Sequence, residues 1–279
     1  MGIRTVRPLT NGQRDMTYSH YGQLTVKGPT VKRLLVVGRK TTGRANGTIT
    51  CRHRGGGTRP RYRLIDFNGT AKLGIPGKVA TIEYDPSRTA NIAMIVFVDG
   101  DKRYQLAHKN MKVGDEVITD RKAKVREGNR MQIQNIPVGH SLYNLEIFPN
   151  RGGQYVRSAG ASAKLMSVEG DLAQIQLGSG EIRLVPKICY ATIGELSNED
   201  HSLVRLGKAG RVRLKGRRPQ VRGKAMNPCD HPHGGGEGNC PIGMKYPKTP
   251  WGAHALGVKT RSNKSTEKYI AKSRHRAKR

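Results

Sequence analysis

Ile92-Ala93-Met94-Ile95-Val96-Phe97-Val98-Asp99-Gly100-Asp101-Lys102-Arg103-Tyr104-Gln105-Leu106 decides the fold class. An apolar, β-branched run meets Asp99-Gly100, and a second β-rich run, Arg103–Leu106, follows it. Asp-Gly supplies the positive φ that a tight turn needs, so this arrangement predicts a β-hairpin. Upstream, Leu34–Val37 ends at Gly38, Arg61–Phe67 precedes Asn68-Gly69, and Lys78–Tyr84 ends at Asp85-Pro86. Such short runs, separated by turn chemistry, suit a small barrel.

A second group of strands follows Gly139. Ser162–Val168 turns at Glu169-Gly170, Leu172–Leu177 turns at Gly178-Ser179-Gly180, and Glu181–Val185 completes a meander, with Lys187–Ile193 beyond it. Gln174 and Gln176 flank Ile175, so alternate side chains face opposite ways. The reading is mainly β, with two small barrels joined by the polar, proline-containing stretch Val125–His140. Short helices are expected near Val113–Thr119 and Asn198–Leu206. The expected boundaries are a basic N-terminal extension over 1–33, a first barrel over 34–124, a second over 125–200 and a basic Gly/Pro-rich C-terminal extension over 201–279.

The formal net charge is +31, from 51 Lys and Arg against 20 Asp and Glu. It is uneven: residues 1–60 carry a net +11, 61–200 a net +3, and 201–279 a net +17. A near-neutral body between strongly cationic ends points to a polyanionic partner, because each neutralised phosphate releases condensed counterions. No apolar run approaches the length that spans a membrane, and no secretory signal is expected at the N-terminus. The four cysteines show no C-x-x-C spacing and read as reduced thiols.

Residues 207–257 hold 11 glycines and 6 prolines, too many for a packed core, yet the sequence is varied rather than repetitive. This suggests a segment shaped by its partner. The densest basic cluster is Arg211, Arg213, Lys215, Arg217, Arg218, Arg222 and Lys224. A matching one is Arg52, His53, Arg54, Arg59, Arg61 and Arg63, interrupted by Gly55-Gly56-Gly57. Arginine offers a planar fork to phosphate and can stack on bases, and glycine lets backbone N–H groups approach closely. Tyr62 suits either a base stack or a barrel position. Lys268–Arg279 reads as a solvated or RNA-bound basic tail.

Within Met226–Gly238 lie Cys229, Asp230, His231 and His233. A zinc site drawn from Cys229, His231, His233 and Cys240 has the spacing C-x-H-x-H-x6-C, which matches no usual ligand pattern. A hydrolase built on Asp230 and His231 lacks a nucleophile elbow, and Gly77-Lys78 lacks the rest of a phosphate loop. The remaining reading has these side chains hydrogen-bond RNA and the loop's own backbone. No catalytic residue, metal or cofactor is expected. The competing readings are a general nucleic-acid compaction protein and a metallohydrolase on His231 and His233.

Met226-Asn227-Pro228, Asp230–Gly238 and Thr249-Pro250-Trp251-Gly252 resemble the tail signature of the universal ribosomal protein L-two family of the large subunit, bacterial type. Tyr62–Phe67, Ile82–Pro86 with Arg88, Tyr143–Glu146 and Arg157–Gly160 are similar too, so the resemblance covers essentially the whole chain. It implies an OB-fold barrel, then an SH3-like barrel, with extensions threaded into ribosomal RNA. The implied role is a structural constituent of the large subunit, a primary rRNA binder that supports subunit association, tRNA binding and assembly of the peptidyl transferase centre. The implied partners are large-subunit rRNA, small-subunit rRNA at an intersubunit bridge, tRNA and neighbouring ribosomal proteins, with no membrane, in a cytoplasmic or organellar ribosome. His231 matches a tail histidine once proposed as catalytic, though the family's chemistry is assigned to RNA. Beyond the two basic clusters, the expected RNA-binding side chains are Asn227, Asp230, His231, His233, Trp251 and Arg261. The chain departs from the family pattern at Asn239, where many relatives carry Arg, and at Thr58-Arg59-Pro60. Each departure removes or moves an implied phosphate contact.

Overall fold

The computed structural model describes residues 2–38 and 43–274. The chain divides into two compact units, one of residues 1–39, 59–208 and 266–279, the other of residues 40–58 and 209–265. Of the basic tail read over Lys268–Arg279, residues 275–279 lie outside the described residues.

In the first unit, β1 (Ile3–Thr5) pairs with β2 (Thr17–Ser19), and β3 (Leu35–Val37) is reached through a 3-10 turn. The second unit holds β4 (Arg44–Ala45) and β5 (Thr48–Ile49). Back in the first, β6 (Arg61–Arg63) pairs with β3. Then β7 (Gly77–Glu83), β8 (Ile92–Phe97), β9 (Lys102–Leu106) and β10 (Glu116–Val117) form an antiparallel sheet in the order β10-β7-β8-β9. The β8–β9 hairpin closes as its sequence predicts, with Gly100 at φ +82° and its N–H donating to the Phe97 carbonyl at 2.9 Å. Asp66 N–H donates to the Tyr104 carbonyl and Gly74 N–H to the Thr119 carbonyl, both at 2.9 Å, which curls this sheet towards a barrel. Ile92, Ala93 and Ile95 are fully buried, which is why β8 is an uninterrupted apolar run.

Two expectations for this barrel are corrected. The strand expected over Arg61–Phe67 stops at Arg63, because the Asp66 carboxylate accepts the Asn68 and Gly69 N–H groups at 3.0 and 2.7 Å and turns the chain. No helix forms over Val113–Thr119, because Gly114 at φ +95° makes a turn and Glu116–Val117 pairs with β7.

The second barrel uses β11 (Arg130–Gln132), β12 (Ser141–Tyr143), β13 (Leu145–Glu146), β14 (Gly153–Tyr155), β15 (Ala163–Glu169), β16 (Leu172–Leu177), β17 (Ile182–Pro186), β18 (Tyr190–Ile193) and β19 (Ile270–Lys272). Seven of these form one sheet, β11-β18-β12-β15-β16-β17-β19, while β13 and β14 pair separately. Ala173 and Ile175 point inward from β16 at 0 % exposure, and Gln174 and Gln176 alternate with them, as the pattern predicts. Val125–His140 is not a simple linker: it carries β11, and Met131, Ile133 and Ile136 are buried in the core. Asn198 at φ +63° leads into a 3-10 turn, Glu199–Leu203, where a short helix was expected. β19 lies in the segment read as an extension, and it adds an edge strand to β17.

The two barrels share a polar joint. Arg130 N–H donates to the Ile118 carbonyl and Asp120 N–H to the Arg130 carbonyl, both at 3.0 Å. The buried Arg130 guanidinium donates from Nε to the Asn68 carbonyl at 3.0 Å and from Nη1 to the Asn144 carbonyl at 2.7 Å. Burial pulls its pKa down to about 10, opposed by the nearby Glu146, so it stays charged at neutral pH. The Glu146 carboxylate is itself fully buried and accepts the Gly152 and Tyr190 N–H groups at 2.7 and 2.9 Å. Phe67 closes the joint beneath Arg157, whose guanidinium lies 4.5 Å from the ring centre.

Replacing Arg130 by Met should therefore cost about 3–5 kcal/mol in urea unfolding, because two carbonyls lose their donor and Glu146 its counter-charge. His108, buried where it bridges to Leu196, has its pKa depressed by burial against the opposing pull of Glu127 and Asp115. It folds neutral, so its contribution is fully present above about pH 6.5 and is lost as pH falls through the folded value. His108→Gln should flatten that decline in a pH series of unfolding midpoints.

Candidate nucleic-acid interface

The second unit contains 16 Lys and Arg but only 2 Asp and Glu, so it carries +14 of the chain's +31 in about a quarter of its residues. Such a density of one sign repels itself, so something other than ion pairing must hold the unit together. The backbone does this. Asn46 and Gly47, at φ +49° and +78°, turn the β4–β5 hairpin, as an Asn-Gly pair favours. Arg54 and Arg217 then face each other in an antiparallel bridge. Gly55 N–H donates to the Gly216 carbonyl at 2.9 Å, Thr58 N–H to Leu214 at 3.0 Å, and Arg218 N–H to His53 at 3.0 Å. The two basic clusters, far apart in sequence, are thus stitched together main chain to main chain.

This pairing explains one glycine differently from the sequence reading. A Cβ on Gly57 would come 2.8 Å from the Gly216 nitrogen, so Gly57 admits the second basic segment rather than a phosphate. α1 (Ala209–Leu214) leads into that segment, with Arg211 and Arg213 half-buried on it. Arg52, Arg54, Lys215, Arg217, Arg218 and Arg222 are exposed, while His53 and Lys224 are half-buried. Arg44, which the sequence reading missed, lines a cleft with Arg52, Arg54 and Arg218. The signal that could have found it is Asn46-Gly47, which folds Arg44 back beside them.

The loop that begins at Met226 is folded on itself. Asp230 and His231 N–H groups both donate to the Asn227 carbonyl, Gly234 N–H to His231, and Gly235 N–H to Met226. His231 is only 8 % exposed, and its Nδ1 accepts the His233 N–H at 3.0 Å. His233 Nε2 accepts the Lys248 N–H at 2.8 Å, and the two rings lie 4.7 Å apart. Both imidazoles thus spend one nitrogen as an acceptor for the loop's own backbone. Gly223 is required beside His231, because a Cβ there would lie 2.5 Å from its ring. Asn227 and Asp230 are exposed, as is Trp251 at 79 %, with the Arg52 guanidinium 5.4 Å from its ring centre. Arg261 is exposed further along.

In the first unit Arg59 and Arg61 are exposed, but Arg63 is not available as a surface contact. It is 7 % exposed, and its guanidinium donates back to the Arg61 carbonyl at 2.9 Å. Tyr62 is partly exposed and lies 6.0 Å from the Arg88 guanidinium. Among the described residues, no three His, Cys, Asp or Glu side chains gather as metal ligands, and Cys229 and Cys240 are exposed free thiols.

A mainly β body and a cationic, glycine-stitched unit with an exposed indole have the features of a nucleic-acid-binding protein. Two family models match: Ribosomal Proteins L2, RNA binding N-terminal domain, over residues 31–119, and Ribosomal Proteins L2, C-terminal domain, over residues 126–252. Together they span about three quarters of the chain, which belongs to the ribosomal protein L2 family. It is a structural, rRNA-binding protein of the large ribosomal subunit, with an OB-fold barrel followed by an SH3-like barrel.

Gly234 tests the self-folded loop. A Cβ there would lie 2.2 Å from the Asn227 carbonyl oxygen, so Gly234→Ala should open the turn and speed hydrogen exchange at the Asp230 and His231 amides. Gly210→Ala, with nothing within 4 Å of its Cβ, should leave both amides unchanged.

Proposed function

We propose that the chain anchors large-subunit rRNA chiefly through the crossed basic segments of its second unit, and performs no chemistry of its own. The observation that supports this most is the backbone pairing of Arg54 with Arg217. It gathers arginines on a stiff frame with two carboxylates to set against sixteen cations, an arrangement that leaves charge for phosphate. His231 and His233 brace the loop, since one nitrogen of each already accepts a backbone N–H. A buried, braced imidazole suits positioning better than proton transfer to a substrate. Through this anchorage the protein supports subunit association, tRNA binding and assembly of the peptidyl transferase centre. Small-subunit rRNA at a bridge, tRNA and neighbouring ribosomal proteins are the further partners of this reading, in a cytoplasmic ribosome.

Salt titration of full-length protein on a structured rRNA fragment tests the proposal. Each lost phosphate contact should lower the log–log salt slope by about 0.7–0.9. The double variant Arg217→Ala, Arg218→Ala should therefore lower it by about 1.5 and weaken binding throughout. An unchanged slope would contradict the assignment. Equal affinity for duplex DNA of the same length would favour a general compaction protein instead.

A further inference from the structure

Arg52 takes part in two features of the second unit. It lines a cleft of about 230 Å³ with Arg44, Arg54, His53 and Arg218, and its guanidinium lies against the indole of Trp251. Among the described residues the cleft's lining includes no carboxylate. Backbone bonds brace its walls: the Gly43 carbonyl, at a residue with φ +68°, accepts the Thr50 and Cys51 N–H groups, and Arg218 N–H donates to the His53 carbonyl. A cleft with four arginines around an apolar floor of Ile49, Cys51 and Pro219 suits a phosphodiester at its rim, since the guanidinium fork matches its oxygens. Trp251 is the chain's single tryptophan, and burying so large an apolar ring normally stabilises a fold. Its 79 % exposure leaves a ring face open to a planar group.

We propose that the cleft and Trp251, joined by Arg52, form a seat for one unpaired nucleotide of RNA, its phosphate among the arginines and its base stacked on the indole. This rests on the RNA-binding reading above and adds to it the class of ligand: a base outside a duplex, because a paired and stacked base offers no free face. Stacking tolerates any base, so the seat grips rather than reads sequence.

The single tryptophan makes the test direct, because indole emission of the full-length protein reports on Trp251 alone. A short oligouridylate should quench it, while an abasic ribose-phosphate strand of equal length should bind without quenching. Arg52→Gln should weaken both strands. Trp251→Ala should weaken oligouridylate alone, by about 5- to 150-fold, and Trp251→Phe should restore it. Quenching by the abasic strand, equal quenching by an RNA duplex, or a Trp251→Ala loss under about twofold would each overturn the seat. In those cases the protein would still bind structured rRNA. Failure to bind that rRNA at all would instead overturn the broader reading.

Discussion

Sixteen cations share one small unit with two carboxylates, and the second unit must satisfy this constraint to fold. Two acids cannot balance sixteen cations, so much of the cohesion comes from neutral interactions: main-chain hydrogen bonds between residues 53–58 and 214–218, glycines that allow close crossing, and a loop braced by two imidazoles. The Gly/Pro-rich composition is thus more than a way of being flexible. Gly57, Gly223 and Gly234 each stand where a Cβ would come within 3 Å of another group. In the proposed reading a polyanion relieves the remaining repulsion, so the unit's charge and its RNA partner explain each other.

Within the first unit, residues 61–200 meet a milder constraint. That stretch carries a net charge of only +3, and some of its charges are paired, as in Arg103 with Asp66 at 2.8 Å. Its two barrels are joined through a buried arginine that hydrogen-bonds to main chain on both sides, beside a buried glutamate bonded to main chain within the second barrel. An apolar joint of the same volume would be no less stable in principle, but hydrogen bonds to Asn68 and Asn144 fix one mutual orientation.

Local signals were legible in the sequence where they were strong. The β8–β9 hairpin, the alternation in β16 and the basic clusters all follow from neighbouring residues. Distant partnership was not legible. Nothing near Gly57 announces Gly216, and nothing near Ile182 announces Lys272 as its strand partner. Polar sequence neighbours hid β11, whose Met131 stands between Arg130 and Gln132 yet is fully buried in the core. Arg63 was read only as an RNA contact because residue type speaks to chemistry, not exposure; burial turned it inward, onto the Arg61 carbonyl. For His231, the expected bond to the loop's own backbone is present, from the His233 N–H.

Crosslinking of intact large subunits, mapped by mass spectrometry, reads directly whether the two sequence-distant basic segments act as one RNA-facing frame. Residues 52–54 and 217–218 should crosslink to the same short stretch of rRNA, because their backbones are paired. Crosslinks to two unrelated rRNA regions, or none from either segment, would contradict the account.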